Sequence, residues 1–247
     1  MGRADLQLHS DLGDGLSSIE EILDAAERAG LDVIALTDHD DIRGAFELRD
    51  LAARRGSRIE VVAGVEVTTR SGHLLALWID DELPMFCSLD DAIALVHRGG
   101  GLAIVPHPLS YLTFSIGEGA LRQLSRRKDG MVDGIELRNP SYAGRVRARR
   151  AAWLNANLLH VAETGSSDAH HAALVGTCWT EFPGRTASDL RRAILERATV
   201  AGGRGWSLRE HLDGAAQQQW RAIVRDPIKR ARRSMSATRK ASRSKHE

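Results

Sequence analysis

The 247-residue chain reads as an α/β protein on three observations. Short apolar runs alternate with longer stretches of helical period, which argues for parallel β/α units. His, Asp and Glu gather where the apolar runs end, and the C-terminal strand edge is where parallel β/α proteins carry their sites. The length suits one large domain with a well-buried core and is short for two. At this size a barrel is the natural closure. An open doubly wound sheet is the competitor, and periodicity alone does not separate them.

Residues 5–9 read as the first strand. Ser17 or Ser18 can cap the next helix, with Glu20 or Glu21 as the reciprocal partner. Ile22, Leu23 and Ala26 give that helix its apolar stripe, and Gly30 stops it. A strand over 32–37 leads to a helix ending near Gly56. Residues 59–67 and 73–79 are strands joined by a short turn containing Gly72. A helix over 88–98 precedes a strand at 102–105, and a helix over 119–127 precedes a strand at 133–137. A basic helix over 145–157 leads to a strand at 159–163. A short strand near 177–182 and a helix over 188–197 complete the body. No internal repeat stands out.

Apolar residues make up 43% of the chain, and no apolar run approaches the ~18 residues needed to cross a membrane. Asp5 and His9 fall where a secretion signal would be apolar, so a cytoplasmic protein is expected. Cys87 and Cys178 form no Cys-x-x-Cys clip, so any metal ligands are nitrogen and oxygen. The net charge of +1 hides an asymmetry: residues 204–247 carry 12 Lys/Arg against 4 Asp/Glu, a net of +8, which leaves −7 on residues 1–203.

The chemistry sits at the strand ends. Gln7, His9, Asp11 and Asp14 follow the first strand, and Asp38, His39 and Asp40 the second. Glu66 ends the third, His73 opens the fourth, and His107 follows the fifth between Pro106 and Pro108. Asp168, His170 and His171 follow the seventh. Carboxylates clustered without cations repel one another and are driven toward protonation. Carboxylates and imidazoles around divalent metal avoid this, and suit zinc, manganese or iron. His97, His160, His211 and His246 stand away from the cluster and read as structural. Asp11, Asp40 and His171 stand beside stronger candidates.

The ordered set Asp-Leu-x-x-His, Thr-Asp-His, Gly-Val-Glu, Pro-His-Pro and Ser-Asp-Ala-His, over about residues 4–183, resembles the polymerase and histidinol phosphatase (PHP) superfamily. Each motif is weak; five in order are specific. The stretch from Val175 through Glu181 to Phe182 resembles the compact stand-alone hydrolases of that family. The resemblance implies a distorted (β/α)₇ barrel with two or three divalent ions. Gln7, His9, Glu66 and Asp168 would hold one. Glu66 would bridge to a second bound by His73 and His107. Asp14, His39 and His170 would hold a third. Gln7 departs from the family, which usually has His there, and puts that first site's occupancy and metal preference in question.

Such ions would clamp a phosphate and lower the pKa of a bridging water, whose hydroxide attacks phosphorus in line. Asp38 or Asp40 could orient a ligand histidine, and Asp168 could double as ligand and proton handler. Arg138, beside Asn139 at the end of the sixth strand, is a candidate phosphate anchor. The expected activity is hydrolysis of a phosphomonoester, a small phosphorylated metabolite or a nucleotide. The alternatives are a non-phosphate ester, carbamate or amide, a nuclease acting on short nucleic acid, and a metal-stabilised module without activity. Aromatics are only 4%, which favours a small substrate over long single strands. The loop over 109–119, with Tyr111 and Phe114, lies where it can cover that substrate.

Residues 1–203 are thus expected to form the hydrolase domain. A helix over 206–224, capped by Ser207 with Glu210, would dock on it through Leu208, Leu212, Ala216 and Trp220. Residues 227–247 form a basic tail expected to be disordered. It either aids solubility or gives salt-sensitive contact with nucleic acid or an anionic membrane face.

Overall fold

A computed structural model describes residues 1–127 and 131–213. Nine strands form one sheet: β1 (Gly2–Leu8), β2 (Val33–Leu36), β3 (Glu60–Thr69), β4 (Gly72–Leu77), β5 (Leu102–Val105), β6 (Gly134–Arg138), β7 (Ala162–Gly165), β8 (Cys178–Phe182) and β9 (Val200–Gly203). Their spatial order is β7-β6-β5-β4-β3-β2-β1-β8-β9. β7 at one end lies against β9 and β8 at the other. Hydroxyl bonds tie the seam: Thr180 Oγ1 bonds the Gly165 N–H and carbonyl, and Thr199 Oγ1 donates to the Glu163 carbonyl. The sheet is therefore a nearly closed, distorted barrel, as expected.

The sheet is mixed, where parallel β/α units were expected. β1–β2, β2–β3, β5–β6 and β6–β7 pair parallel; β3–β4, β4–β5, β1–β8 and β8–β9 pair antiparallel. β3 and β4 form a hairpin because only Ser71, Arg70 and their neighbours join them, too short a link for a parallel crossover. β9, with sequence Val-Ala-Gly-Gly, carries no periodic signal.

Along each strand, alternate residues serve two cores. Val33, Ala35, Val62, Leu75, Leu77, Leu102 and Ile104 pack together with Leu190, Ala193 and Ile194 of α6 (Ala187–Leu195). Ile34, Leu36, Val65, Leu74, Ala76, Ala103 and Val105 pack in the outer core with residues of the first five helices. Those helices are α1 (Ile19–Ala29), α2 (Arg43–Arg55), α3 (Leu89–Arg98), α4 (Glu118–Leu124) and α5 (Ala148–Leu154). Glu66 falls in phase with Val62 and opposite in phase to Val65, on the side away from the first five helices.

Local signals set the helix ends. Ser18 and Glu21 form a reciprocal capping box on α1, and Gly30 closes it at φ 70°. Gly56 closes α2 in the same way at φ 60°. The basic helix begins at Ala148, three residues later than expected, because Asn139 Oδ1 accepts from Ser141 N–H and Oγ, and Ser141 Oγ accepts from Gly144 N–H. Those bonds hold 139–144 as turns. The chain then continues in a π turn over Asn155–Leu159, which delays β7 to Ala162.

Residues 1–206 form one compact unit. In the separate segment that follows, 208–213 are helical, and Ser207 and Glu210 exchange the expected capping bonds. The rest of that helix and the basic tail lie outside the described residues. Among the described residues, no helix is long and apolar enough to cross a membrane.

Candidate metal centre

Glu66, buried on β3, is the hub of the strand-end residues. Its Oε1 lies 2.8 Å from His73 Nδ1 and 3.1 Å from His107 Nε2. Its Oε2 lies 2.8 Å from Gln7 Nε2, 3.2 Å from His9 Nε2 and 4.0 Å from His39 Nδ1. Asp168 Oδ1 is 3.3 Å from His9 Nε2 and 3.8 Å from His170 Nδ1. Asp14 sits at the mouth, 47% exposed, with Oδ1 3.3 Å from His9 Nδ1. Its Oδ2 is 3.1 Å from His170 Nε2 and 3.8 Å from His39 Nε2. All nine residues singled out as metal ligands in the sequence converge here.

Three overlapping groups have donor atoms close enough to share an ion: His9, Glu66 and Asp168; His39, Glu66 and His73; and His9, Asp14, His39 and His170. The donor atoms are short of hydrogen-bond geometry as well as close. Gln7 Oε1, both His9 nitrogens, Asp14 Oδ1, His39 Nδ1 and His73 Nδ1 are buried without a satisfactory hydrogen bond. Ligands bound at ~2.1 Å to one ion stand about 3.0–3.4 Å apart, with lone pairs aimed at the ion and not at each other. The donor set therefore fits divalent metal.

Two histidines are oriented for this. His170 Nδ1 lies 3.0 Å from the Asp168 carbonyl, which can only accept, so Nδ1 carries the hydrogen and Nε2 faces Asp14. Ser115 Oγ donates to the His107 carbonyl, so it accepts from His107 Nδ1 and leaves Nε2 toward Glu66. Ser115 thus brings the loop after His107 into the site, and Phe114 of that loop packs edge-on against the His73 ring.

The electrostatics are those of a tightly paired cluster. Burial opposes charge on His9, yet Asp14, Asp168 and Glu66 hold its imidazole well above the ordinary value. Burial likewise opposes charge on His107, and Glu66 outweighs it, to about 9. Burial would raise Glu66, but the hydrogen bond from His107 and the close imidazoles of His73 and His9 pull it well below the usual carboxylate range. Protons occupy, in the metal-free chain, positions a cation can take over.

Other predicted residues act on the frame. Asp38 accepts from Ser10 N–H at 2.7 Å and Ser10 Oγ at 2.5 Å, pinning the segment after His9. Asp40 accepts from Thr68 N–H and Oγ1. Asp40, His107 and Asp168 hold left-handed backbone, at φ 52°, 27° and 52°; such non-glycine residues cost about 1–3 kcal/mol each and gather at functional sites. Arg138 is not drawn into the cluster: its guanidinium donates twice to the Gly203 carbonyl on β9. His97 pairs with Asp133, and His171 Nδ1 accepts from Ala173 N–H.

Two buried carboxyls were assigned no role in the sequence reading. Glu136 on β6 accepts from His107 N–H at 2.6 Å and from Asn139, and burial pushes it up to about 8. Asp5 accepts from Ser167 N–H and Gly176 N–H, holding the segment before Asp168; burial raises it to about 6. Glu136 lies in no recognisable motif, and its strand phase was the only available signal; Asp5 opens the Asp-Leu-x-x-His motif, which pointed to His9 and left Asp5 itself without a role.

Comparison with known proteins places these features. The PHP domain family matches residues 5–151, and a PHP-associated family matches residues 146–199. An uncharacterised protein of Methanocaldococcus jannaschii is 33% identical over 148 residues, covering 56% of this chain and 81% of that protein. A 3′,5′-nucleoside bisphosphate phosphatase of Chromobacterium violaceum is 39% identical over 88 residues, 34% of this chain and 30% of the relative. A solved two-domain protein from Bacteroides vulgatus, described as containing a predicted PHP-like metal-dependent phosphoesterase, has the same fold, with a TM-score of 0.63 at 23% identity. The match covers 82% of this chain and 64% of that one. With its motifs in order, its barrel nearly closed and its donors converged on Glu66, this chain belongs to the PHP domain family of metal-dependent phosphoesterases and hydrolases.

Proposed function

We propose that the chain hydrolyses a phosphomonoester of a small metabolite or nucleotide, using two to three divalent ions of manganese, zinc or iron. The observation that carries this reading is the sharing of one buried carboxylate, Glu66, among His9, His73, His107 and Gln7. Gln7, His9, Glu66 and Asp168 would hold one ion, and Glu66 with His73 and His107 a second. Asp14, His39 and His170 would hold a third. When bound, the ions supply an activated water and neutralise phosphate oxygens.

The chain's own residues do the rest. Asp168, with Oδ1 3.3 Å from His9 Nε2 and 3.8 Å from His170 Nδ1, holds or passes a proton at Oδ1. Asp38 keeps His9 in place through Ser10. The loop after His107 limits water at the His73 side through Phe114. The phosphomonoester reading draws support from the bisphosphate phosphatase relative, and the ion preference from a donor set of nitrogen and oxygen alone. A panel of phosphoesters, carboxylic esters, carbamates and amides, assayed with each metal, tests the proposal. Cleavage of a phosphomonoester is expected, with Mn²⁺ the strongest activator. His107→Ala or Asp168→Ala should cut the rate ~100-fold or more, since changes one layer further out already cost 10–100-fold. Turnover of carboxylic or carbamate esters with every phosphoester inert would overturn it.

A further inference from the structure

We propose that a cavity beside the C-terminal end of β6 is an anion subsite that takes a second phosphate of the substrate, distinct from the one hydrolysed. The link to substrate rests on the phosphoester reading; the anion site itself does not. The cavity, about 520 Å³, is lined by Arg138, Asn139, Arg145, Arg147 and Arg149, with Leu137, Ala148 and Gly205 completing the wall. No lining residue is acidic. Four guanidinium groups around one concavity repel one another, and an anion between them removes that cost.

The four are not equivalent. Arg138 is committed to the Gly203 carbonyl, and Arg147 shares Glu118 with Arg150 and Arg122. Arg145 and Arg149 are exposed, and their guanidiniums have no hydrogen-bond or ion-pair partner among the described residues. Arg145 lies directly over Gly205, where a β-carbon would displace it. Two uncommitted guanidiniums, each with a planar fork of donors, suit a phosphate dianion.

The position suits a substrate that spans both sites. Asn139, in the cavity wall, donates to Glu136 Oε2 at 3.2 Å, and the same oxygen accepts from His107 N–H at 2.6 Å. One shared carboxyl therefore separates the cavity from the metal-facing histidine. The loops around both sites are also tied together, by Ser110 Oγ donating to the Ala143 carbonyl at 2.8 Å.

Full-length protein, freed of metal with a chelator, is titrated calorimetrically with inorganic pyrophosphate at low ionic strength, as wild type and as Arg145→Ala/Arg149→Ala. Both side chains are exposed, so the fold is not at stake. The double substitution should raise the Kd about tenfold or more. Equal affinities, or no binding by wild type, would overturn the subsite. With metal restored, the kcat/KM ratio of adenosine 3′,5′-bisphosphate over adenosine 5′-monophosphate should fall by a similar factor in the double variant. A 5′-phosphorylated dinucleotide in the same assay separates a free bisphosphate from the end of a nucleic-acid chain as the source of the second phosphate. An unchanged preference for every doubly phosphorylated substrate would overturn the link to substrate. Loss of pyrophosphate binding in a protein that cleaves no phosphoester would support the subsite and sink the phosphoester reading.

Discussion

Raising the pH should destabilise the metal-free chain, and Glu66→Gln should remove much of that dependence. His107 is held at about 9 against an ordinary 6.5, by the Glu66 carboxylate acting against burial. A folded pKa above the unfolded one means the folded state binds more protons between the two values. The resulting stability is full below about pH 6.5 and is lost as pH rises through about 9. At 1.36 kcal/mol per pH unit the His107 contribution is about 3 kcal/mol. For a chain of this size that corresponds to a fall in Tm of roughly 6–12 °C. Glu136, raised by burial to about 8, adds loss of the same sign between its ordinary 4.5 and about 8. Thermal melts of the chelated protein at pH 6.5 and 9.5 measure the sum. Glu66→Gln should shrink the difference by the His107 share, whereas Glu136→Gln should leave that share in place. Saturating metal should flatten the dependence, because ions displace the same protons. A metal-free wild type that is equally stable at both pH values would refute the reasoning, as would an undiminished difference in Glu66→Gln.

Elemental analysis of Glu66→Ala should show the loss of more than one metal equivalent, because both Glu66 oxygens serve separate donor groups; loss of one or none would remove its bridging role. Gln7→His should tighten binding of the first ion in a competitive metal titration, imidazole being the better transition-metal donor, and an unshifted curve would place position 7 off the metal. Asp38→Ala should cost about 2–4 kcal/mol in denaturant unfolding, since it strands the buried Ser10 N–H and hydroxyl. Asp38→Asn, which can still accept from the N–H and donate to the hydroxyl, should cost about half or less; equal losses would mean that the carboxylate charge, and not the Ser10 bonds, is what matters.

Much of this protein was legible in its sequence because the signals were local. Ser18 with Glu21, Gly30 and Gly56 announce helix ends through bonds that span only a few residues. His9, His39, Glu66, His107, Asp168 and His170 stand out because ligand-type residues recur at strand ends. What only tertiary structure decided are the relations between residues far apart in the chain. The antiparallel pairings of β4 and β8, and the unannounced β9, depend on which strands meet. Glu136 looks like an ordinary strand residue, and Asp5 like a mere flank of His9, until burial and the amides of distant segments act on them. Arg138 stands outside the Glu66 cluster with its guanidinium on the Gly203 carbonyl, a partner that only the placing of β9 supplies. The arginines at 145, 147 and 149 read as part of one basic helix, where i and i+2 positions point apart, yet the Asn139 and Ser141 turn bonds shifted the helix start to Ala148 and left all three around a cavity. Local hydrogen bonds and side-chain period are written within a few residues of sequence; proximity, burial and shared charge are created only when the barrel closes.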